Sequence, residues 1–294
     1  MIKKDFSEKL KIYLFQIYSK ELNKKQINEL FENILSIFNK EIKNLEKELW
    51  SEKDFLLITY ADSIKKVNHK NLETLSHFLK KYCKEFNFIH ILPFFPFSSD
   101  DGFAVVDYKK IKNENGSWKD LKNITKSFKV MIDLVINHCS SKNKLFINFL
   151  ENNGKGKDFF ISSEKKFSNS QKIVRPRSSD LSKKVVVNGK KKFVWCTFGH
   201  DQVDFNFKNP KVLLYFLEII KFYLDQNIRA LRLDAVAFLW KESGTRCINL
   251  LQTHIIIRLI RLIVDNFYKK TLIITETNIP NHENLTYFGN NNEA

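Results

Sequence analysis

Four stretches of this sequence place ionisable side chains directly after short apolar runs. Asp133-Leu-Val-Ile-Asn137-His138 closes one run, Arg232-Leu-Asp234-Ala a second and Thr275-Glu276-Thr-Asn278 a third. A fourth run leads into Pro93-Phe-Phe-Pro-Phe-Ser-Ser-Asp100-Asp101-Gly102-Phe103. Two carboxylates flanking a pocket, with an arginine and a histidine beside them, are what double displacement at a glycosidic carbon requires. Each residue alone has a plainer reading. Asp234 at a strand end can cap the following helix, His138 can be a hydrogen-bonded structural histidine, and Arg232 can simply pair with Asp234 or Asp133. The joint arrangement carries the chemical reading.

Such groups need elements that bring them to one rim. Leu10, Tyr13, Leu14, Ile17 and Tyr18, then Ile27, Leu30, Phe31, Ile34 and Phe38, recur at helical spacing, which predicts helices with one apolar stripe across residues 1–50. From residue 54 short apolar runs alternate with helical patterns. Strands are predicted at Phe55–Tyr60, Phe88–Leu92, Val130–Ile136, Arg229–Leu233 and Leu272–Thr275, with helices near 72–83, 118–128, 210–226 and 250–268. Runs apolar on both faces and separated by helices indicate parallel βα units. Five units suit an open sheet or part of a (β/α)8 barrel, in which chemistry sits just after the strand ends. About sixty residues separate the third strand from the helix at Pro210, too long for a structureless loop. They predict a small subdomain on the catalytic face.

Composition excludes several classes. Gly and Pro number only 8 and 5 while 43% of residues are hydrophobic, so the chain is neither low-complexity nor disordered. The formal charge of +16 raises nucleic-acid binding, but the lysines are spread along the chain without basic-aromatic interleaving, so no nucleic-acid partner is expected. No apolar run is long enough to span a membrane and no signal-peptide core follows Met1. Cys83, Cys139, Cys196 and Cys247 lie far apart without metal-ligand spacing. Reduced thiols, a cytoplasmic location, and neither metal nor cofactor are expected.

Asp133-x-x-x-Asn137-His138, Arg232-x-Asp234 and Glu276 resemble, in order, the first three conserved regions of the α-amylase superfamily, glycoside hydrolase family 13. Gln202-Val-Asp204-Phe-Asn206 resembles that family's extra region near the end of its domain B. Ile58-Thr-Tyr-Ala-Asp62-Ser, Asp100-Asp-Gly-Phe103, Gly116-Ser-Trp118 and Arg175-Pro-Arg177 are similar to sucrose phosphorylases. Trp240-Lys-Glu242, Gln252-Thr-His254 and Glu276-Thr-Asn278-Ile-Pro280 are closer to glucosylglycerate phosphorylases. The resemblance implies an α/β fold: about five of the eight strands of a TIM barrel over 51–294, a domain B insertion at about 141–207, and a helical N-terminal extension over 1–50.

It also implies roles. Asp234 would be the nucleophile, Glu276 the general acid/base, and Arg232 the cation that keeps Asp234 ionised. Asp100, Phe103, His138 and Gln202 would bind the glucosyl ring and Arg177 the phosphate, so the implied partners are an α-glucoside and inorganic phosphate. On the residues alone, Arg175 and Arg177 could equally pin the insertion. The family also uses a third acid, an Asp after a His on the seventh strand, whereas the only His-Asp pair here is His200-Asp201, inside the insertion. The expectation is therefore a C-terminally incomplete barrel, insoluble or inactive alone, with a second chain as one means of completing it. A glucosidase-type hydrolase and a non-catalytic carbohydrate-binding remnant are the competing readings.

Overall fold

The computed structural model describes residues 4–38, 50–168, 170–268 and 271–289. Residues 1–3 and 39–49 of the expected helical extension lie outside them. The extension begins with α1 (Lys4–Tyr18) and α2 (Lys24–Ile37). Asn23 caps α2 reciprocally with Gln26, each side chain accepting from the other's backbone N–H. The apolar stripes bury Leu10, Leu14, Tyr18 and Ile34, packing α1 on a later helix, α7 (Leu251–Phe267).

The main unit runs β1 (Leu56–Thr59), α3 (Asn71–Tyr82), β2 (Phe88–Ile91), α4 (Trp118–Thr125) and β3 (Lys129–Val135). Next come β4 (His138–Ser140), α5 (Lys144–Leu150), β5 (Ser162–Ser163), β6 (Ser182–Val187), β7 (Lys190–Trp195) and β8 (Gln202–Asp204). It closes with α6 (Pro210–Asp225), β9 (Ala230–Asp234), α7, β10 (Leu272–Thr275) and the short α8 (Asn281–Asn284). Pro210 opens α6, where a missing N–H costs nothing.

The five long-predicted strands form one sheet in the order β1-β2-β3-β9-β10, every pair parallel. This is five consecutive strands of a (β/α)8 barrel. The observed strands lie within about a residue of the predicted runs, and Leu272–Thr275 coincides with its prediction. The helix-facing side is closed, with Ile89, Ile91, Val130, Ile132, Leu231 and Leu233 all buried. The other side carries the polar groups and is open at its flanks: Leu56, Ile58 and Ile274 are 41%, 57% and 42% exposed.

Between β3 and α6 the chain builds two small antiparallel sheets, β4-β8 and β5-β7-β6. Asn188-Gly189, both at positive φ, turn the β6–β7 hairpin.

Candidate functional site

The site collects at the C-terminal ends of the parallel strands, as the fold requires. β4 and β8 pair with His138 opposite Asp204 and Ser140 opposite Gln202, which brings two segments 64 residues apart against one another. His138 Nε2 lies 3.1 Å from Gln202 Nε2, which also donates to Asp100 Oδ2 at 2.8 Å. Arg177 approaches the other oxygen of Asp100 at 3.8 Å.

Asp100 is aimed by an unusual turn. Asp100, Asp101 and Gly102 are all at positive φ, and a Cβ on Gly102 would sit 2.7 Å from the Pro93 carbonyl oxygen. Only glycine fits there. Phe103 follows, half-buried, and its carbonyl accepts a hydrogen bond from the His138 ring.

Beneath His138 lies a closed polar cluster. Asn137 Nδ2 donates to Asp204 Oδ2 at 3.0 Å, and Lys241 Nζ reaches Asn137 Oδ1 at 2.7 Å and Asp204 Oδ2 at 2.8 Å. Thr197 donates to Asp204 through both its N–H and its hydroxyl. Burial drives the His138 pKa down to about 4, and Asp204 opposes that fall more than any other charge. His138 is thus a neutral ring at neutral pH.

The two candidate catalytic carboxylates leave adjacent strands. Ala235, directly after Asp234, is left-handed at φ 50°, a conformation costing a non-glycine residue about 1–2 kcal/mol. Its N–H donates to Glu276 Oε2 at 2.8 Å, and Val236 N–H donates to the Glu276 carbonyl at 3.2 Å. Burial raises the Asp234 pKa well above the carboxylate range, and the charges of Glu276 and then Asp133 raise it further. Arg232 opposes the rise but does not overcome it. Its Nη1 lies 2.5 Å from Asp133 Oδ1 and 3.6 Å from Asp234 Oδ1. Arg232 thus lowers the Asp234 pKa as expected, but it shares its charge with Asp133, and burial and the neighbouring carboxylates raise that pKa more.

The two insertion arginines separate. Arg175 donates to the carbonyls of Thr197, Cys196 and Ser179 and pins the insertion. Arg177 is 56% exposed and turned to Asp100. Asp201 is no third acid either: Ser98, Ser99 and Ser141 all donate to it.

The sequence reading did not single out Phe198, whose ring centroid is 5.0 Å from that of His138 and 5.5 Å from that of Phe238. Its place four residues before Gln202 was the available signal. Lys241 was quoted only as part of a motif. Among the described residues no His/Cys/Asp/Glu group has metal-binding geometry.

Residues 59–294 match the catalytic domain of the alpha-amylase family. The chain is 44% identical over 242 residues to the glucosylglycerate phosphorylase of Spirochaeta thermophila, covering 82% of this chain and 41% of that protein. It is 38% identical over 284 residues to the glucosylglycerate phosphorylase of Escherichia coli K12, covering 96% of this chain and 50% of that one. Among solved structures, the sucrose 6F-phosphate phosphorylase of Thermoanaerobacter thermosaccharolyticum superposes with a TM-score of 0.71 at 27% identity, over 81% of this chain and 50% of that one. The chain therefore spans half or less of the length of these relatives.

Proposed function

The chain belongs to the alpha-amylase family, and on that premise we propose that it carries the glucosyl-binding part of a retaining sugar phosphorylase. The observation that supports the reading is that Glu276 accepts from the amide of Ala235, the residue directly after Asp234, and that its charge acts on Asp234. Burial and mutual repulsion disfavour a doubly ionised pair.

In this reading Asp234 attacks the anomeric carbon as the glycosidic C–O bond breaks, and Glu276 gives its proton to the departing oxygen. The glucosyl-aspartate is then attacked by a phosphate oxygen whose proton returns to Glu276, releasing α-glucose 1-phosphate with two inversions. Asp100, Gln202 and neutral His138 hydrogen-bond the glucosyl hydroxyls, Phe103 offers an apolar wall, and Arg232 supports Asp234 through the charge it shares with Asp133. Arg177, whose guanidinium is not consumed in pinning the insertion, faces phosphate. Residues 141–207 serve as the subdomain beside the site, and α1 and α2 as a helical extension. The donor is a glucosylglycerate-type α-glucoside, since the two more similar relatives described above act under that name. A cytoplasmic location suits the four cysteines, all buried and free; among the described residues no helix is long and apolar enough to cross a membrane.

The test is to supply the whole protein with glucosylglycerate or sucrose, with and without inorganic phosphate. Phosphate-dependent glucose 1-phosphate is expected, with Arg177→Ala raising the KM for phosphate. Equal glucose release in both conditions would make the protein a hydrolase. Glucose binding without turnover would make it a carbohydrate-binding module.

A further inference from the structure

We propose that His90 is a positioning residue for Asp234: by occupying one oxygen of Asp133, it keeps Arg232 shared between Asp133 and Asp234. The relay crosses three neighbouring strands, β2, β3 and β9. His90 Nε2 lies 2.8 Å from Asp133 Oδ2, Arg232 Nη1 lies 2.5 Å from Asp133 Oδ1, and the same Nη1 lies 3.6 Å from Asp234 Oδ1. His90 and Asp133 are 2% and 0% exposed, so water does not compete for the contact between them.

A carboxylate only accepts, so Nε2 carries the proton that it donates. Guanidinium and carboxylate favour a two-point fork when both oxygens are free. Here no fork forms: the histidine competes for Oδ2, and Arg232 contacts Oδ1 alone. Arg232 is left with a one-nitrogen contact on Asp133 and remains within reach of Asp234. His90 Nδ1 has no hydrogen-bond partner among the described residues, so Asp133 is the contact that this ring serves. With Oδ2 vacated, Arg232 would swing fully onto Asp133 and its charge would leave Asp234.

The inference rests on the reading of Asp234 as the nucleophile, but its readout does not require turnover. In the whole protein, the Asp234 carboxyl is titrated by carbon-13 NMR in wild type, His90→Leu and His90→Gln, with fold checked by near-UV circular dichroism. The groups that act on Asp234 are Glu276, Asp133, Arg232 and Asp100. Each titration is therefore repeated in a Glu276→Gln background to remove coupled proton exchange.

His90→Leu is expected to raise the Asp234 midpoint by about one pH unit, the scale of losing one nearby cation. His90→Gln, whose amide can still donate to Oδ2, is expected to restore it. If the leucine variant does not fold, His90→Met gives the same reading, since it too donates nothing. An unmoved midpoint in the non-donating variant, or an equal rise in the glutamine variant, overturns the proposal. A shifted midpoint in a protein that forms no glucose 1-phosphate would sink the proposed activity and leave this inference standing. Normal phosphorolysis with an unmoved midpoint would do the reverse.

Discussion

The centre and the flanks of the five-stranded sheet carry the same kind of pattern and meet different surroundings. On β3 and β9, Asp133 and Asp234 are buried and Arg232 is bracketed between them. On β1 and β10, Ile58 and Ile274 lie on the same sheet face and are 57% and 42% exposed. A central strand has a neighbour on each side, whereas β1 and β10 have one each. Electrostatics follows the same division. Asp234, on the sealed centre, has its pKa raised first by burial and then by Glu276. Glu276, beyond the end of a flanking strand, is only half-buried.

The largest expected effect breaks that pair. In the whole protein, Asp234→Asn is expected to lower glucose 1-phosphate formation by at least about 10⁴-fold, the scale seen when a nucleophile is removed. It should also raise the melting temperature, since a neutral amide removes a carboxylate that the buried site disfavours as an ion. A variant that keeps a tenth of the wild-type rate would show that Asp234 is not the nucleophile. One that loses activity and also melts lower would show that the centre is not electrostatically strained.

The sheet itself was legible in the sequence because its strands are buried on the helix side and apolar along their length. Leu272–Thr275 and Phe88–Ile91 could be read directly from such runs. The helices were legible from their 3.6-residue stripes, Leu10 to Tyr18 among them. The catalytic-face residues could be listed because they follow strand ends, but their pairings could not. The β4–β8 ladder has three residues per strand, too few for any periodicity. The Asp204–Lys241 pair joins positions 37 apart through a fold that local pattern does not encode. Arg175 and Arg177 have the same side chain two residues apart, and only tertiary contacts separate them, one donating to carbonyls of the insertion and the other approaching Asp100. His90 sits in a run that reads as uniformly apolar, which hid its partner on the next strand.

A middle-sized effect sharpens the electrostatic side. His138 at the sealed centre has its pKa lowered by burial from 6.5 to about 4. The unfolded chain therefore takes up a proton below about pH 6.5 that the folded one refuses until about pH 4. The sign is a loss of stability as pH falls through that window, on the order of 3 kcal/mol when complete. Other groups titrate nearby, Asp201 among them with its pKa lowered against burial by three serine hydroxyls and Lys183. The test is therefore the difference between wild type and His138→Gln in urea unfolding at pH 7 and pH 4.5. The wild type is expected to lose more stability than the variant. Parallel losses would mean that the ring is charged in the folded state.

The smallest expected effect tests the open flank. Ile58 lies on the same sheet face as His90, its registered neighbour on β2, but is 57% exposed where His90 is buried. Fully burying an isoleucine is worth about 1.5–3 kcal/mol, and most of that gain is unrealised at a position left in water. Ile58→Ser in the 294-residue chain is therefore expected to change the urea-unfolding free energy by less than about 0.5 kcal/mol, the range of ordinary surface substitutions. Ile132→Val, at a helix-covered position with no exposure, is the control and should cost about 0.5–1.5 kcal/mol despite removing only one methylene. The ordering is the informative quantity, because it reverses what side-chain size alone would give. If Ile58→Ser cost more than Ile132→Val, the flank would be covered in solution, and the measurement should then be repeated across protein concentrations. A cost that grows with concentration would identify the cover as another copy of this chain; one independent of concentration would place it within the chain itself.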